Sequence, residues 1–336
     1  MNTKIKFAIL GFGHIGKRHA DMILRHAEAA LVAIVDTHLN IDSNTYQVPT
    51  FNTLDELINA NIPIDIVCIA TPNYLHCQQA IQALQNNWHV VIEKPMGLSS
   101  QECQQVIDTA TANNKKVFCV MQNRYSPPSA WLKEVINQNL LGDIYHVQIN
   151  CYWNRDEKYY AQSNWKGKKE LDGGTLFTQF SHFVDTMYWL FGEIKNITGK
   201  QYNFNHQNSI EFEDSGFIQF EISNGGTGSI NYSTSVFNKN LESSITIIGQ
   251  NGSVKIGGQY MDEVLVCNIK DYQMPQLPKT NPANDYGSYK GSAANHEYVI
   301  QNVIEVLQGK ANIKTTATEG LKVVETIEHI YKALYN

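Results

Sequence analysis

Residues 11–16 read Gly-Phe-Gly-His-Ile-Gly and follow directly on the apolar run Ile5–Leu10. No other stretch of the 336-residue chain limits the fold as strongly. Glycines at this spacing suit a strand that turns sharply into a helix. Gly11 permits the tight turn, Gly13 lets a ligand approach the backbone, and Gly16 lets the helix pack close on the strand. The helix N-terminus then presents N–H groups and partial positive charge to phosphates. Asp36 lies twenty positions after Gly16, at the end of the apolar run Leu31–Val35. Together these residues meet the context required of a dinucleotide-binding turn. The Asp36 carboxylate suits a ribose 2′-hydroxyl and repels a 2′-phosphate. Thr37 and His38 follow with no arginine, so NAD is expected rather than NADP.

The rest of the first 120 residues alternates strand and helix patterns. A helix is predicted from the glycine turn to about Ala30. Thr53 with Glu56, and Ser99 with Glu102, form capping-box patterns before two further helices. Strands are predicted at Ile64–Ala70, His89–Ile92 and Lys116–Val120. Short unbroken apolar strands between helices predict a parallel sheet covered on both faces, a doubly wound Rossmann fold. Ligands bind such sheets at the strands' carboxyl ends. The glycine turn, Asp36, Thr71-Pro72-Asn73 and Glu93-Lys94-Pro95 all fall at such ends.

The pattern changes near residue 122, which predicts a dinucleotide domain over 1–122 and a second, α+β domain over 123–336. A helix is expected at Pro128–Asn139, a strand at Asp143–Trp153, a loop at Asn154–Glu170 and one helix over Thr175–Leu190. Alternating strands follow at Phe212–Ile222 and Thr227–Val236, joined by Ser223-Asn224-Gly225-Gly226. Ile245–Gly249 leads through the hairpin turn Gln250-Asn251-Gly252 to another strand. These strands predict a large, open-faced, mostly antiparallel sheet with helices on one face. Its other face is expected to be covered in a homodimer or homotetramer. Residues 271–293 read as a long loop, and helices at Ala294–Leu307 and Thr316–Leu334 close the chain.

Composition removes other classes. Hydrophobic residues make up 43% and charged residues 17%, and the net charge is −6, so the chain is globular and nucleic acid is not an expected partner. No run reaches the length of a membrane span, and no signal-peptide pattern opens the chain, which predicts a cytoplasmic protein without a membrane partner. The six cysteines form no C-x-x-C pair and are expected to be reduced thiols. His76 has no His, Cys, Asp or Glu at i+4, so no metal is expected there.

The motifs together resemble the Gfo/Idh/MocA oxidoreductase family. The matching residues are Gly11–Gly16 with His19, Thr71-Pro72-Asn73 with His76, Glu93-Lys94-Pro95, Arg124-Tyr125, Gly142-Asp143-Ile144, and Gly173-Gly174-Thr175-Leu176 with His182 and Asp185. The resemblance implies a second-domain sheet that binds substrate and forms the oligomer interface. It implies that Lys94 lies beside the nicotinamide and the reacting hydroxyl, that Lys94–Pro95 is cis, and that His182 is the catalytic histidine. Thr178 stands where the family typically carries an aspartate, a departure that argues against a simple inositol dehydrogenase. Tyr159-Tyr160, Asn164-Trp165-Lys166-Gly167 and Leu171-Asp172-Gly173-Gly174 resemble a narrower nucleotide-sugar branch. That branch includes the UDP-N-acetyl-glucosaminuronate 3-dehydrogenases of surface-polysaccharide synthesis.

The expected chemistry is oxidation of a secondary sugar hydroxyl by NAD. His182 is expected to take the hydroxyl proton, because histidine titrates near neutrality. Lys94 is expected to stabilise the developing alkoxide, and the two roles are open to exchange. Cofactor contacts are expected from Gly11, Phe12, Gly13, His14, Ile15, Gly16, Asp36, Thr71, Pro72, Asn73, His76, Glu93, Lys94 and Gln122. Substrate contacts are expected from Lys94, Arg124, Tyr152, Asn154, Arg155, Tyr160, Trp165, Lys166, Thr178 and His182, with Arg155 and Lys166 suited to an anionic group. Asn295 and His296 stand at a helix start, where N-capping explains Asn295 equally well. Three rival functions remain beside the nucleotide-sugar reading. They are an NAD-dependent glycosidase, another free-sugar or polyol dehydrogenase, and a non-catalytic dinucleotide sensor.

Overall fold

The computed structural model describes residues 4–38, 45–223, 225–287 and 289–335. These fall into two compact units. One comprises the chain up to Met121 with His296–Val324, the other Gln122–Asn295 with Glu325 onward.

The first unit contains a six-stranded parallel sheet. Its elements are β1 (Ile5–Leu10), α1 (His14–Arg25), β2 (Ala29–Val35), β3 (Thr50–Phe51), α2 (Leu54–Asn59), β4 (Ile66–Ile69), α3 (His76–Gln85), β5 (His89–Ile92), α4 (Ser100–Ala112) and β6 (Val117–Cys119). The strand order is β3-β2-β1-β4-β5-β6, all neighbours parallel. Sequence order therefore reverses between β1 and β4, the crevice at which doubly wound sheets bind ligands. Phe7, Ala8, Ile9, Ile66, Val67 and Ile92 have no exposed surface, as strands covered on both faces require. The Thr53 hydroxyl accepts from Glu56 N and the Ser99 hydroxyl from Glu102 N, so both predicted caps form. Helix α1 stops at Arg25, short of the predicted Ala30. Ala29 is already paired with Ile5 in the sheet, and that pairing ends the helix.

The second unit holds α5 (Pro127–Asn137), β7 (Ile144–Tyr152), α6 (Glu157–Ala161), α7 (Lys169–Asp172), α8 (Thr175–Thr178), α9 (Ser181–Phe191), β8 (Ile194–Tyr202), β9 (Ser215–Ile222), β10 (Thr227–Ser233), β11 (Glu242–Gly249), β12 (Gly252–Gly257), β13 (Glu263–Ile269), β14 (Ala283–Asp285) and β15 (Lys290–Ala293). Seven strands form one sheet in the order β13-β12-β11-β7-β10-β9-β8. Only β7 and β10 run parallel; the other neighbours are antiparallel. Along β7, Val147, Ile149 and Cys151 are buried while Gln148 and Asn150 are partly exposed. The buried face meets side chains of the helical segment: Phe180, just before α9, packs on Tyr232, and Phe183 of α9 on Trp153. The chain closes with α10 (His296–Leu307) and α11 (Ala317–Tyr335).

Three further local expectations need correction. The helix predicted over Thr175–Leu190 is two helices, broken at Gln179-Phe180. Phe180 is fully buried among Trp153, Phe183 and Tyr232, and this packing overrides the local helical pattern. The loop after Trp153 contains α6 and α7, each tethered through a carboxylate: Asp156 caps Tyr159 N, and Glu211 accepts from Lys169 N. Strand β8 lacked a strong alternating pattern in the sequence because it is a largely exposed edge. The stretch 271–293 carries the short β14–β15 ladder. Asn224, in the β9–β10 turn, lies outside the described residues, as does Ser288 of the 271–293 segment. The Gln250-Asn251 hairpin joins β11 to β12 as predicted, with Gly249 opposite Gly252. All six cysteines are thiols. No helix among the described residues is long and apolar enough to cross a membrane.

Candidate active site

The three glycines have different reasons for being glycine. Gly11 sits at φ +89°, and a Cβ there would lie 2.7 Å from the Ala70 carbonyl carbon. A Cβ on Gly16 would overlap the Gly11 carbonyl oxygen. The protein's own backbone demands both. Gly13 has φ −70° and ψ −159°, and a Cβ there would meet nothing within 4 Å. Its missing side chain leaves an open cradle at the start of α1, where His14 and Ile15 form the first turn. No side chain caps this helix and no acidic residue occupies its first turn, so the helix end suits an anion. A pyrophosphate fits this cradle.

Asp36 ends β2 beside the turn. Its Oδ2 accepts a 2.5 Å bond from Phe12 N, and Oδ1 accepts from His38 N at 2.8 Å. The carboxylate thus locks the glycine turn to the neighbouring strand, and each oxygen keeps a second lone pair for a ribose hydroxyl.

The loops after β4 and β5 are joined by His76. Its Nδ1 lies 2.7 Å from the Pro95 carbonyl and its Nε2 2.8 Å from the Thr71 carbonyl. Burial lowers the His76 pKa, against the pull of those two carbonyls. Both nitrogens face backbone oxygen, so the ring is a clasp between the loops rather than a metal ligand. Thr71 donates to Gln79, Pro72 precedes a short 3-10 helix, and Asn73 is buried at its start. The Lys94–Pro95 bond is cis, and Lys94 is partly exposed.

Glu93 is buried and meets two imidazoles. His19 Nε2 of α1 lies 2.8 Å from its Oε1, and His296 Nε2 lies 3.7 Å from the same oxygen. Lys94 N donates to Oε2 at 3.3 Å. Burial opposes the Glu93 charge, but the His19 hydrogen bond and the positive charges of His19 and Lys94 hold its pKa at about 2. Burial likewise opposes the His19 charge, and contacts with Cys68 and Glu93 outweigh it and raise the imidazole to about 10. Burial lowers His296 to about 3, so this second imidazole is neutral. The sequence carried no signal for this cluster beyond the presence of three polar residues in three separate motifs.

In the second unit His182 is buried on the first turn of α9. The Thr178 hydroxyl donates to the carboxylate and carbonyl of Asp172. Asp172 is itself buried and accepts from Gly167 N at 2.6 Å. A buried carboxylate therefore does stand beside position 178, supplied by Asp172.

The expected substrate residues separate by their partners. Arg155 is buried, with Nε on Gln179, Nη1 on the Asn154 carbonyl and Asn240, and Nη2 on the Lys290 carbonyl. Its guanidinium also lies over Trp153, Tyr159 and Tyr289. Asn154 bonds Asn240 and the Val236 carbonyl. Arg124 makes a two-point ion pair with Asp185 and covers Trp189. Gln122 is buried, and its carbonyl accepts from Asn295, whose side chain also reaches Ser126. Tyr160 is buried against His206. Tyr152 and Trp165 are partly exposed. Lys166 is partly exposed too, and its ammonium lies 4.0 Å from the Tyr159 ring centre. Burial lowers its pKa, and no protein carboxylate ion-pairs with it among the described residues. Sequence reading did not anticipate Asn240, which holds both Asn154 and Arg155, or the buried His206–Asp214 pair at 3.1 Å.

Two family models cover most of this chain. One, the oxidoreductase family with an NAD-binding Rossmann fold, matches residues 5–121, and the Gfo/Idh/MocA C-terminal domain matches residues 130–255. The chain belongs to the Gfo/Idh/MocA oxidoreductase family. It is an NAD-dependent oxidoreductase.

Among solved members, the chain is similar to the WlbA dehydrogenase of Bordetella pertussis in complex with NADH and UDP-GlcNAcA. Identity is 31%, covering 99% of this chain and 97% of that one, with a TM-score of 0.88. The WlbA dehydrogenase of Chromobacterium violaceum, with the same two ligands, is 29% identical over 100% of this chain and 95% of that one, with a TM-score of 0.87. Glucose-6-phosphate 3-dehydrogenase of Bacillus subtilis is 31% identical over 192 residues, 55% of this chain and 53% of that protein.

Proposed function

We propose that this Gfo/Idh/MocA oxidoreductase oxidises a secondary hydroxyl of a nucleotide sugar, with the 3-hydroxyl of a UDP-N-acetyl-hexuronate as the specific reaction. The observation that carries the reading is chain-length similarity to a dehydrogenase crystallised with NADH and UDP-GlcNAcA. The Lys166 ammonium adds support, since it is partly desolvated over Tyr159 and suits an anionic group.

NAD, when bound, accepts the hydride. The chain's own residues must hold the sugar, take the hydroxyl proton and stabilise charge on oxygen. In this reading His182 takes the proton and Lys94 places a fixed positive charge at the oxygen. The Gly11–Gly16 turn and Asp36 hold the dinucleotide, and Lys166 holds an anionic part of the substrate. The open face of the seven-stranded sheet pairs with a second copy of the chain.

Following NADH absorbance with UDP-GlcNAcA as substrate tests the reading. Net NADH formation is expected, or NADH formation on the enzyme followed by recycling with an added keto-acid. Turnover of His182→Asn should fall roughly 10²–10⁴-fold. Near-wild-type turnover in that variant would sink the role of His182. Product without any NADH signal in single turnover would instead make the reaction redox-neutral and overturn the dehydrogenase reading.

A further inference from the structure

Glu213 lies two residues before β9 and is 4% exposed. No step above uses it, and no sequence motif pointed to it. Two tyrosine hydroxyls converge on its Oε1. Tyr331 of α11 donates at 2.7 Å and Tyr232 of β10 at 3.4 Å. Its Oε2 accepts no hydrogen bond among the described residues. The main-chain oxygen of Glu213 accepts from the Thr175 hydroxyl.

Both tyrosines lead to the segment that ends in His182. The Tyr331 hydroxyl accepts from Leu176 N at 3.0 Å, and its ring stacks on Phe177 at 6.1 Å. Gly174 sits at φ +125°, and a Cβ there would run into that hydroxyl. So Gly174 leaves the room that Tyr331 fills. Tyr232 packs against Phe180 at 5.9 Å, two residues before His182. Gln179 N and Phe180 N both bond to the Thr175 carbonyl, which closes the bend between α8 and α9. One carboxyl therefore sits beneath both supports of a short, bent stretch, and each support touches that stretch directly.

We propose that Glu213 is a positioning residue for His182, acting through Tyr331 on the Gly174–Phe177 turn and through Tyr232 on Phe180. The proposal rests on His182 being the reactive histidine. The carboxyl holds two hydroxyl rotors in one orientation, and those hydroxyls and rings hold the bend from which α9 starts. Burial raises the Glu213 pKa to about 7, against the two tyrosine hydroxyls, which suits a group kept for structure in an apolar bed. The ionisable groups that face it are Tyr331 from α11 and Tyr232 from β10. Asp214, next in the chain, turns instead to His206.

The test uses the full-length enzyme with NAD bound. Glu213→Ala and Tyr331→Phe are expected to shift the His182 imidazole resonance, which is assigned by its loss in His182→Asn. They are expected to lower kcat roughly tenfold to a hundredfold, the range for a slightly misplaced reacting group, with the KM for NAD unchanged. Glu213→Gln keeps an acceptor for Tyr331 and is expected to restore both. If Glu213→Ala does not fold, Tyr331→Phe and Glu213→Gln decide the matter alone. An unmoved His182 resonance and unchanged kcat in Tyr331→Phe overturn the proposal. Full activity of His182→Asn removes the catalytic assignment, while the resonance shift still decides whether Glu213 positions that ring.

Discussion

His19 and Glu93 form a buried ion pair, 2.8 Å from Nε2 to Oε1, that joins the helix of the glycine turn to the residue before Lys94. His19 is raised to about 10, so its contribution to stability is complete below its unfolded value near 6.5 and is lost as pH rises through 10. Glu93 is lowered to about 2, so its contribution is complete above about 4.5 and is lost as pH falls through 2. Between those limits the pair is intact. His19→Gln strands a buried carboxylate and is expected to cost about 3–5 kcal/mol at pH 7, read as a fall in the unfolding midpoint. The loss should shrink above pH 10, where the wild type has lost the same contact. A variant as stable as wild type at pH 7 would show that the pair carries no net energy.

Gly13→Ala and Gly16→Ala should part company. Alanine at 13 meets no protein atom and keeps an allowed backbone, so folding stability should stay within about 1 kcal/mol of wild type while NAD affinity drops. Alanine at 16 collides with the Gly11 carbonyl, so folding itself should suffer. Equal NAD affinity in Gly13→Ala and wild type, by calorimetric titration, would place the pyrophosphate elsewhere.

Asp36 anchors Phe12 N, and in the proposed reading its carboxylate also holds the ribose. Asp36→Ala removes the charge that repels a 2′-phosphate and the acceptor for a ribose hydroxyl. NAD affinity should fall roughly tenfold to a hundredfold, the worth of a charged hydrogen bond. NADP affinity should rise or hold, so the NAD/NADP ratio of kcat/KM narrows. An unchanged ratio would remove Asp36 from cofactor selection.

Arg155 and Lys166 lie against the same tyrosines but should behave differently. Arg155 spends four N–H groups on protein acceptors. Arg155→Lys cannot reproduce that fork and should cost at least about 3 kcal/mol of stability. Lys166→Ala loses two partly exposed cation–π contacts and should stay within about 1 kcal/mol. Its effect should appear as a roughly tenfold higher KM for an anionic sugar substrate. A stability loss in Lys166→Ala with unchanged KM would make that lysine structural.

The parts that sequence reading recovered are the local ones. A glycine turn after an apolar run, an acidic residue at the next strand end and two capping boxes each involve few residues and short reach. The split of the Thr175–Leu190 helix was not legible, because Phe180 is an ordinary apolar residue until Trp153, Phe183 and Tyr232 surround it. The edge strand β8 was missed because period-two patterning needs one buried face, and an exposed edge weakens the contrast. Arg155, as a residue type, suits a phosphate equally well. Which acceptors it finds depends on Asn240 and Lys290, 85 and 135 positions away.

The sequence by itself determined the doubly wound sheet, the place of the glycine turn at its crevice, and the choice of NAD. Those follow from backbone geometry and charge within single strand–turn–helix units. Only the tertiary structure decided how the polar residues are paired. Glu93 gathers His19 and His296, His76 clasps Thr71 to Pro95, and Glu213 sits beneath the turn that leads to His182. A buried charge or hydroxyl must find its partner in three dimensions, and partners far apart in sequence leave no periodic trace along the chain.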